Sequence, residues 1–331
     1  MIKILTVVGA RPNFVKAAPF IKRIQEYNQN FYNKRKIKHL LVHTGQHYDY
    51  NLSKIFFKEL SIPEPDVHLG VGSGTHAEQI AKIMLSFEKV LTEFTPDIVI
   101  VIGDVNSTLA CALTATKAGF PIGHIEAGLR CYDRTLPEEV NRLVTDALSD
   151  FLFTPSADAV ANLLREGIDE SKIFNVGNIM IDCLIEHWNR INNSSVLQRF
   201  DLQPKNYAVL TLHRNQNVDY PQTLSGILKA ITYLSQEIKI VFPVHPRTLK
   251  RLKEFMLENL IGTNILLIEP LGYIDFLNLV SNSKFVMTDS GGLQEETTYL
   301  GVPCLTLRRT TERPITVKMG TNEVVGVEEE N

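Results

Sequence analysis

The chain has 331 residues, a hydrophobic content of 44% and a formal net charge of −3 at pH 7. This length is enough for two globular domains, and the near-neutral charge excludes a protein that relies on an overall basic surface to bind nucleic acid or an anionic membrane. The four cysteines are far apart and form no CxxC pair, which argues against a disulfide framework or a zinc knuckle and favours a reducing compartment. The N-terminal apolar run is too short for a signal peptide and no run approaches membrane-spanning length, so we expect a cytoplasmic protein.

Short β-branched runs alternate with helical patterns over the first half of the chain. Helical periodicity covers residues 14–27, 77–94 and 107–117 between those runs. Near-continuous apolar strands separated by helices predict a parallel sheet that is covered by helices on both faces. The predicted strands are, in chain order, KILTVVG, KHLLVHTG, PDIVIVIGD, FPIGHIEAG, DFLFTPS and KIFNVGN.

A polar segment rich in Asn and Ser, residues 189–206, interrupts this alternation, and we interpret it as a linker or boundary loop. A second series of strands and helices follows. We predict an α/β protein with two Rossmann-like, doubly wound parallel-sheet domains, residues 1–178 and 179–331, and an active-site cleft between them at the carboxyl ends of the strands. The strands of the second series are YAVLTLHR, KIVFPVHP, NILLIEPLG, KFVMTDSGG and VPCLTLR.

The segment TDSGGLQEE, residues 288–296, follows a predicted strand and opens a helix. Ser290 is a favourable N-cap, and Gly291 and Gly292 let a ligand approach the backbone closely. The free N–H groups of a helix N-terminus suit a phosphate, and Glu296, about 1.5 turns into the helix, can accept hydrogen bonds from ribose hydroxyls. A simple capping turn is the alternative interpretation. The motif is neither a P-loop nor GxGxxG, which argues against ATP hydrolysis and NAD binding.

Two cations and one aromatic residue point to the same ligand. Arg11 and Lys16 follow the first strand and enter the first helix, where they can contact a diphosphate. Phe276 can stack on a nucleobase. The alternative for Arg11 and Lys16 is that both are exposed surface cations. The alternative for Phe276 is an aromatic side chain in the core, which by itself is more common than stacking on a base.

Two carboxylates, Asp104 and Glu126, stand directly after apolar strands, where polar groups of an α/β sheet face the ligand crevice. For Asp104 the alternative role is to cap the helix that follows. Their position predicts a cluster of acids at the edge of the first sheet.

A third acid follows on the next helix, which Pro137 is well suited to begin. Glu138 and Arg142 are four residues apart on one face of that helix and can pair, although an exposed pair needs no function. Glu139 is expected to face solvent.

Histidines mark strand ends in the second domain: His213, with Arg214 beside it, ends its first strand and His245 ends the next. A lone strand-end histidine is often structural, but two at neighbouring ends favour a ligand site. None of the nine histidines lies in an HExxH motif, and His43 and His47 fall in a strand end and loop. We therefore predict no metal ion and no other cofactor.

Taken as a set, the motifs of this chain resemble the non-hydrolysing UDP-N-acetylglucosamine 2-epimerase family, in order and over nearly the whole length. The resemblance implies two domains of the glycosyltransferase-B type, a homodimer, and interconversion of UDP-GlcNAc and UDP-ManNAc in polysaccharide biosynthesis. The motifs are GARPNFVKAAP, TGQHYD, GDVNSTLA, HIEAGLR, PEEVNR, LHR, PVHPR, TDSGGLQEE and RRTTERPIT.

The resemblance also implies roles for single residues. Proton-transfer or essential polar roles fall to Asp104, Glu126, Glu138 and His213, with Arg142 in support. Contacts to UDP fall to Arg11, Lys16, Phe276, Ser290, Gly291, Gly292, Glu296 and Arg313. Gln46 and His47 fall in a loop that, in some bacterial members, is implicated in binding a second, activating UDP-GlcNAc.

Three other functions stay open at the sequence level. The same reaction on UDP-2,3-diacetamido-glucuronate would require an extra cation near the sugar, for which Arg130 and Arg134 are the candidates. A glycosyltransferase of the same fold would need an acceptor. A silent nucleotide-sugar binder is the least favoured, because it has little use for carboxylates close to a diphosphate.

Overall fold

A computed structural model describes residues 1–30, 32, 35–46 and 50–327, without the side chains of Arg11 and of residues 50–54. The chain divides into two compact units, Met1–Glu186 and His187–Asn331. Among the described helices, none combines the length and apolar character needed to cross a membrane.

The N-terminal unit is built on a seven-stranded sheet in which every neighbouring pair is parallel, in the order β3-β2-β1-β4-β5-β6-β7. All six strands predicted for this half of the chain are confirmed. The short edge strand β3 was missed, because two residues are too few to show a pattern of apolar and polar residues. The strands are β1 Ile2–Val8, β2 Ile37–His43, β3 Val67–His68, β4 Ile98–Ile102, β5 Ile122–Ile125, β6 Phe151–Thr154 and β7 Ile173–Asn175.

Helices connect these strands, as the parallel arrangement requires. The predicted helical stretches 14–27, 77–94 and 107–117 each lie inside an observed helix. The helices are α1 Arg11–Gln29, α2 Tyr50–Glu59, α3 His76–Phe94, α4 Asn106–Lys117, α5 Pro137–Leu148, α6 Ala157–Arg165 and α7 Ile179–Asn192.

The core of this unit lies between the sheet and the helices that pack on it. Val99 and Val101 of β4 are fully buried and belong to one cluster with Ile83, Phe87 and Leu91 of α3. Burial of each such side chain stabilises the fold by about 1.5–3 kcal/mol. Helix α3 begins with a capping box between Thr75 and Glu78, which satisfies N–H groups of its first turn.

The C-terminal unit contains a six-stranded parallel sheet in the order β10-β9-β8-β11-β12-β13. Its strands are β8 Tyr207–Thr211, β9 Lys239–Pro243, β10 Ile265–Ile268, β11 Val286–Thr288, β12 Cys304–Thr306 and β13 Asn322–Val324. Its helices are α8 Val196–Arg199, α9 Asn215–Val218, α10 Pro221–Leu234, α11 Pro246–Glu254, α12 Tyr273–Ser281, α13 Gly291–Leu300 and α14 Pro314–Lys318. The five predicted strands are confirmed, and β13 was missed.

The polar segment 189–206 is helical only in part. Residues 193–195 and 200–206 lie outside helices and strands, as predicted for a loop, whereas the prediction was wrong for residues 189–192 and 196–199. Helix α7 continues to Asn192, and the short α8 follows it. Val196 and Leu202 belong to a buried cluster of the C-terminal unit. Apolar residues between the polar ones therefore pack this segment against the core, although its composition is that of a linker.

Each sheet has a topological switch point. In the N-terminal unit the chain runs outward from β1 through β2 to β3 and then returns to β4 on the other side of β1; β8 and β11 have the same relation in the C-terminal unit. The loops that leave such neighbouring strands diverge and open a crevice outside the carboxyl ends. Asp104 follows β4, and His213 and Ser290 follow β8 and β11, so the predicted site residues lie at these two crevices.

Candidate active site

A buried ion pair lies at the switch point of the N-terminal unit. Lys16 of α1 donates through Nζ to Oε2 of Glu126, which follows β5. Both side chains are buried. Gly103 lies next to the pair: a Cβ added to Gly103 would lie 3.2 Å from Glu126 Oε2 and 3.3 Å from Lys16 Nζ. The structure thus places Lys16, predicted to contact a diphosphate, against a predicted proton-transfer group of its own unit.

The backbone of Glu126 adopts a costly conformation, with a φ of 75°. Gly103 has a φ of 67°, which glycine adopts without strain. The left-handed region costs a non-glycine residue about 1–2 kcal/mol. Such conformations persist where surrounding contacts hold them, and they cluster at functional sites. Here the conformation aims the Glu126 carboxylate at Lys16.

A second buried network contains Asp104 and Arg142. Arg142 donates through Nη1 to Asp104 Oδ2 at 2.5 Å, and through Nε and Nη2 to Glu139 Oε2 at 3.0 and 2.7 Å. The expectation that Glu139 faces solvent was wrong: its side chain is 1% exposed. Glu139 lies three residues from Arg142 on α5, where i,i+3 side chains meet as readily as i,i+4 pairs. Glu138 lies in the first turn of α5, half-buried.

The alternative role of Asp104 as a helix cap is not observed. The N-cap of α4 is Val105, without a side-chain capping bond. The side chain of Asp104 is 22% exposed. It therefore combines a fixed orientation, through its contact with Arg142, with access to solvent.

A third network lies beneath these groups and was missed by sequence reasoning. His124 Nδ1 lies 2.7 Å from Asp146 Oδ1, and its Nε2 donates to the carbonyl oxygen of Gly103 at 2.8 Å. Burial raises the pKa of Asp146, but the charges of His124 and Arg130 outweigh burial and hold this pKa below its usual value. The network anchors the turn that carries Asp104. A histidine inside an apolar strand run was the signal that could have revealed it.

At the switch point of the C-terminal unit, Asp289 fixes the His213 ring. Asp289 is fully buried and accepts hydrogen bonds from the backbone N–H groups of His213 and Arg214 at 3.0 and 2.9 Å. His213 Nδ1 lies 2.8 Å from Asp289 Oδ1, while the His213 side chain is 38% exposed. Burial raises the pKa of Asp289, but the charge and hydrogen bond of His213 and two backbone donors outweigh burial and lower it. Sequence reasoning missed Asp289, although an acid directly after a strand was the signal used for Asp104.

His245 is placed differently from His213. It is the N-cap of α11, and its Nδ1 accepts a hydrogen bond from the N–H of Arg247 at 3.2 Å. The two histidine rings lie 5.9 Å apart between centroids.

The N-terminus of α13 contains the predicted phosphate turn. Ser290 occupies the N-cap position as predicted, but its side chain makes no capping bond. Glu312 approaches this turn so closely that a Cβ on Gly291 would lie 2.1 Å from Glu312 Oε1. Glu312 pairs with Arg308 at 2.6 Å, and Arg313 Nε lies 3.0 Å from Glu295.

We expect Gly291→Ala to weaken UDP binding about 10-fold, because the added methyl group would displace Glu312 at the turn that is predicted to hold a phosphate at the helix N-terminus. Gly226→Ala in α10 is the matched control, since nothing lies within 4 Å of an added Cβ there. Isothermal titration with UDP measures both variants. Equal affinities in the two would remove the α13 turn from the nucleotide site.

The predicted ribose and base contacts lie on α12 and α13. Glu296 is buried and accepts a hydrogen bond from Tyr273 Oη at 3.1 Å. Phe276 is partly buried and packs against a core cluster of its unit. Their contacts with a nucleotide stay predictions, as does that of Arg11, whose side chain lies outside the description.

The predicted regulatory loop is described only in part. Gln46 Oε1 accepts hydrogen bonds from Ser107 N–H at 3.0 Å and Ser107 Oγ at 2.7 Å, at the start of α4. His47 lies outside the described residues. A role for this loop in binding a second nucleotide sugar stays a prediction.

These features define a class: two Rossmann-like parallel-sheet units of the glycosyltransferase-B type, each with polar residues at its switch point. The family profile described as UDP-N-acetylglucosamine 2-epimerase matches residues 29–331. A UDP-N-acetylglucosamine 2-epimerase of Methanocaldococcus jannaschii is 44% identical, over 98% of this chain and 88% of that protein. The chain therefore belongs to the UDP-N-acetylglucosamine 2-epimerase family.

The chain is also similar to solved structures of this family and to a further relative. The crystal structure of the M. jannaschii enzyme in complex with UDP-GlcNAc and UDP has a TM-score of 0.93 at 44% identity, covering 99% of this chain and 90% of that one. The Neisseria meningitidis enzyme bound to UDP-GlcNAc has a TM-score of 0.90 at 34% identity, with coverages of 99% and 89%. A UDP-2,3-diacetamido-2,3-dideoxy-D-glucuronate 2-epimerase of Pseudomonas aeruginosa is 40% identical over 98% of this chain and 88% of that protein.

Proposed function

We propose that this protein is an isomerase that interconverts UDP-GlcNAc and UDP-ManNAc by eliminating UDP to a glycal and adding it back. The observation that carries the proposal is the arrangement at the first switch point. There, Asp104 and Glu126 are each held by a buried cation of the same unit, Arg142 and Lys16 respectively. Relatives named for this reaction match nearly the whole chain.

The chemistry explains why such acids are needed. The C2 hydrogen of an N-acetyl sugar is barely acidic, because no carbonyl group adjoins that carbon within the ring. Departure of UDP from C1 creates an oxocarbenium-like centre, which acidifies the neighbouring C–H bond. Removing the proton gives a glycal, and returning a proton to the opposite face, with UDP re-adding at C1, gives the epimer. Each positioned proton-transfer group typically contributes ~10²–10⁴-fold to the rate.

We assign the proton transfers to the N-terminal unit, which offers Asp104, Glu126 and Glu138. The leaving diphosphate carries negative charge that grows as the C1–O bond breaks. N–H donors of the Ser290–Gly292 turn and the guanidinium of Arg313 suit this charge in the C-terminal unit. His213, oriented by Asp289 and partly exposed, is suited to move a proton or to donate to the substrate.

Solvent deuterium exchange tests this proposal directly. The protein is incubated with UDP-GlcNAc in D₂O, and the C2 proton and the product are followed by ¹H NMR. We expect UDP-ManNAc to form and deuterium to enter C2 of both sugars, because the removed proton exchanges with solvent. Intact UDP-GlcNAc without exchange, under conditions in which UDP binds, would contradict the proposal and favour a silent binder.

UDP-2,3-diacetamido-glucuronate is the competing substrate, and one contact disfavours it. Arg130, a candidate partner for the extra sugar carboxylate, is buried and pairs with both Asp146 and Glu166 at 2.7 Å. Releasing it would leave two carboxylates without this cation, which is costly in a buried site. Arg134 is exposed and is the candidate that remains. Parallel incubations with the two UDP-sugars separate these functions, and turnover of the glucuronate alone would reverse our choice.

The wider setting follows from the same proposal. We infer a homodimer in the cytoplasm that supplies a nucleotide sugar to polysaccharide biosynthesis. All four cysteines are buried within the described part of the chain and no disulfide joins them, a pattern typical of proteins from a reducing compartment. Sedimentation equilibrium measures the assembly state, and a monomer at micromolar concentration would contradict the dimer.

A further inference from the structure

We propose that Glu139 is a positioning residue that acts through Arg142 on Asp104, and thereby sets the pH range in which Asp104 transfers a proton. This inference rests on the proposed epimerase function. The sequence pattern predicted that Glu139 faces solvent. The family resemblance implies a proton-transfer or essential polar role for its neighbour Glu138 and none for Glu139.

The carboxylate of Glu139 is fixed from two sides. The backbone N–H groups of Cys131 and Tyr132 donate to Oε1 at 3.2 and 2.8 Å, and Arg142 contributes a two-nitrogen fork to Oε2. Tyr132 has a φ of 59°, so the loop that donates these N–H groups is itself held in a left-handed conformation. Charge-assisted bonds of this kind are short and strong. Glu139 therefore holds both the loop and the guanidinium in place.

Arg142 then has one nitrogen, Nη1, directed at Asp104. Its side chain is 3% exposed, while that of Asp104 is 22% exposed. The partly exposed carboxylate of Asp104 is thus linked to the buried carboxylate of Glu139 through one guanidinium. Charges inside a protein interact more strongly than charges in water, because the effective dielectric constant is lower.

Among the residues that the structure describes, Arg142 is the charged group that donates hydrogen bonds to Glu139. Arg142 lies on the same helix, Asp104 follows β4, and the thiol of Cys131 follows β5 at 3.4 Å from Glu139 Oε2. Burial raises the pKa of Cys131, so the thiol adds no charge at neutral pH. Helix α4, which packs on α5, presents the uncharged Asn106, which lies 3.3 Å from Asn141 of α5. Glu138 precedes Glu139 in the first turn.

The sign of the effect follows from the charges. Neutralising Glu139 leaves the charge of Arg142 less compensated, and this charge favours the ionised form of Asp104. The limb of the pH–rate profile that Asp104 controls should therefore move to lower pH, by roughly half a pH unit or more. A purely structural role would lower the rate equally at every pH.

The test compares Glu139→Gln with Glu166→Gln. Glu166 accepts a similar two-nitrogen fork from Arg130, at 2.8 and 2.7 Å, in the neighbouring network around Asp146. For Glu139→Gln we expect kcat to fall at least ~10-fold, KM to change little and the limb to shift. For Glu166→Gln we expect the wild-type pH profile. A wild-type profile for Glu139→Gln, or a loss of rate without a shift, would overturn the inference.

A coupling measurement gives a second, independent outcome. If Glu139 acts through Asp104, its substitution should change the residual rate of Asp104→Asn by less than ~2-fold, whereas full additivity overturns the inference. If Glu139→Gln does not fold, the coupling measurement uses Glu139→Asp instead. This variant keeps the negative charge but has a shorter side chain. If the wild-type protein did not exchange the C2 proton of UDP-GlcNAc with deuterium, the proposed function itself would be rejected.

Discussion

Turnover should fall at least ~100-fold when Asp104 is replaced by Asn, while UDP binding is retained. The substitution keeps the size of the side chain and its ability to accept a hydrogen bond from Arg142. It removes the proposed proton-transfer group, whose side chain is 22% exposed at the first switch point. Nucleotide affinity should be unchanged, because Asp104 is not among the residues predicted to contact UDP, and Ser290 and Arg313 of that set belong to the other unit.

The measurements are kcat by NMR and UDP affinity by titration. Asp201→Asn is the matched control, since Asp201 is exposed and has a φ of 49°, a conformation that Asn tolerates well. Near-wild-type turnover of Asp104→Asn would remove this carboxylate from the mechanism. Loss of UDP binding together with turnover would show instead that the substitution perturbs the fold.

Asp289→Asn is expected to lower both turnover and stability. The buried carboxylate of Asp289 orients His213 through Nδ1 and accepts two backbone N–H groups. The amide places an NH2 group, a donor, at a position where only an acceptor fits, so the ring loses its fixed orientation and kcat falls at least ~10-fold. The free energy of unfolding should decrease by about 2–3 kcal/mol, because hydrogen bonds to a buried charge are lost.

The pH dependence of this effect has a definite sign. The pKa of Asp289 is lowered in the folded state, so its contribution to stability is complete above the unfolded pKa of about 3.9. That contribution is lost as the pH falls through the folded pKa. The difference in unfolding free energy between wild type and Asp289→Asn should therefore shrink below about pH 4.

Urea unfolding at pH 7 and at pH 3 measures this difference. Asp219→Asn is the matched control in the same unit, because Asp219 also pairs with arginines, Arg247 and Arg251, but at a more exposed position. Exposed ion pairs contribute little, and the control should be close to wild type. A difference for Asp289→Asn that is the same at both pH values would show that ionisation of Asp289 does not stabilise the fold.

Much of the fold was readable from the order of residues, and the reason is local. Buried parallel strands are short apolar runs, such as IVIVI in β4, and amphipathic helices repeat every 3.6 residues. Strands with two or three residues, β3 and β13, carry too little pattern to be recognised. The helical parts of segment 189–206 were missed because its few apolar residues, Val196 and Leu202 among them, decide its packing, whereas composition counts the many polar ones.

The sequence predicted which strand ends carry the candidate site residues, but it did not predict the contacts that these residues make. The positions of Asp104, Glu126 and His213 followed from strand ends, which point at the crevice in any doubly wound sheet. The partners of Arg142 did not follow, since i,i+3 and i,i+4 neighbours on a helix are equally near.

The sequence by itself determined the class of fold, the family, and which strand ends carry acids and histidines, because these depend on local periodicity and on motifs read in order. Only the tertiary structure decided that Glu139 is buried, that Lys16 contacts Glu126, and that Asp289 orients His213. These facts depend on which charges share a desolvated space. That is settled by the packing of strands and helices far apart in the chain, because a buried charge is stable only where the fold supplies its partner.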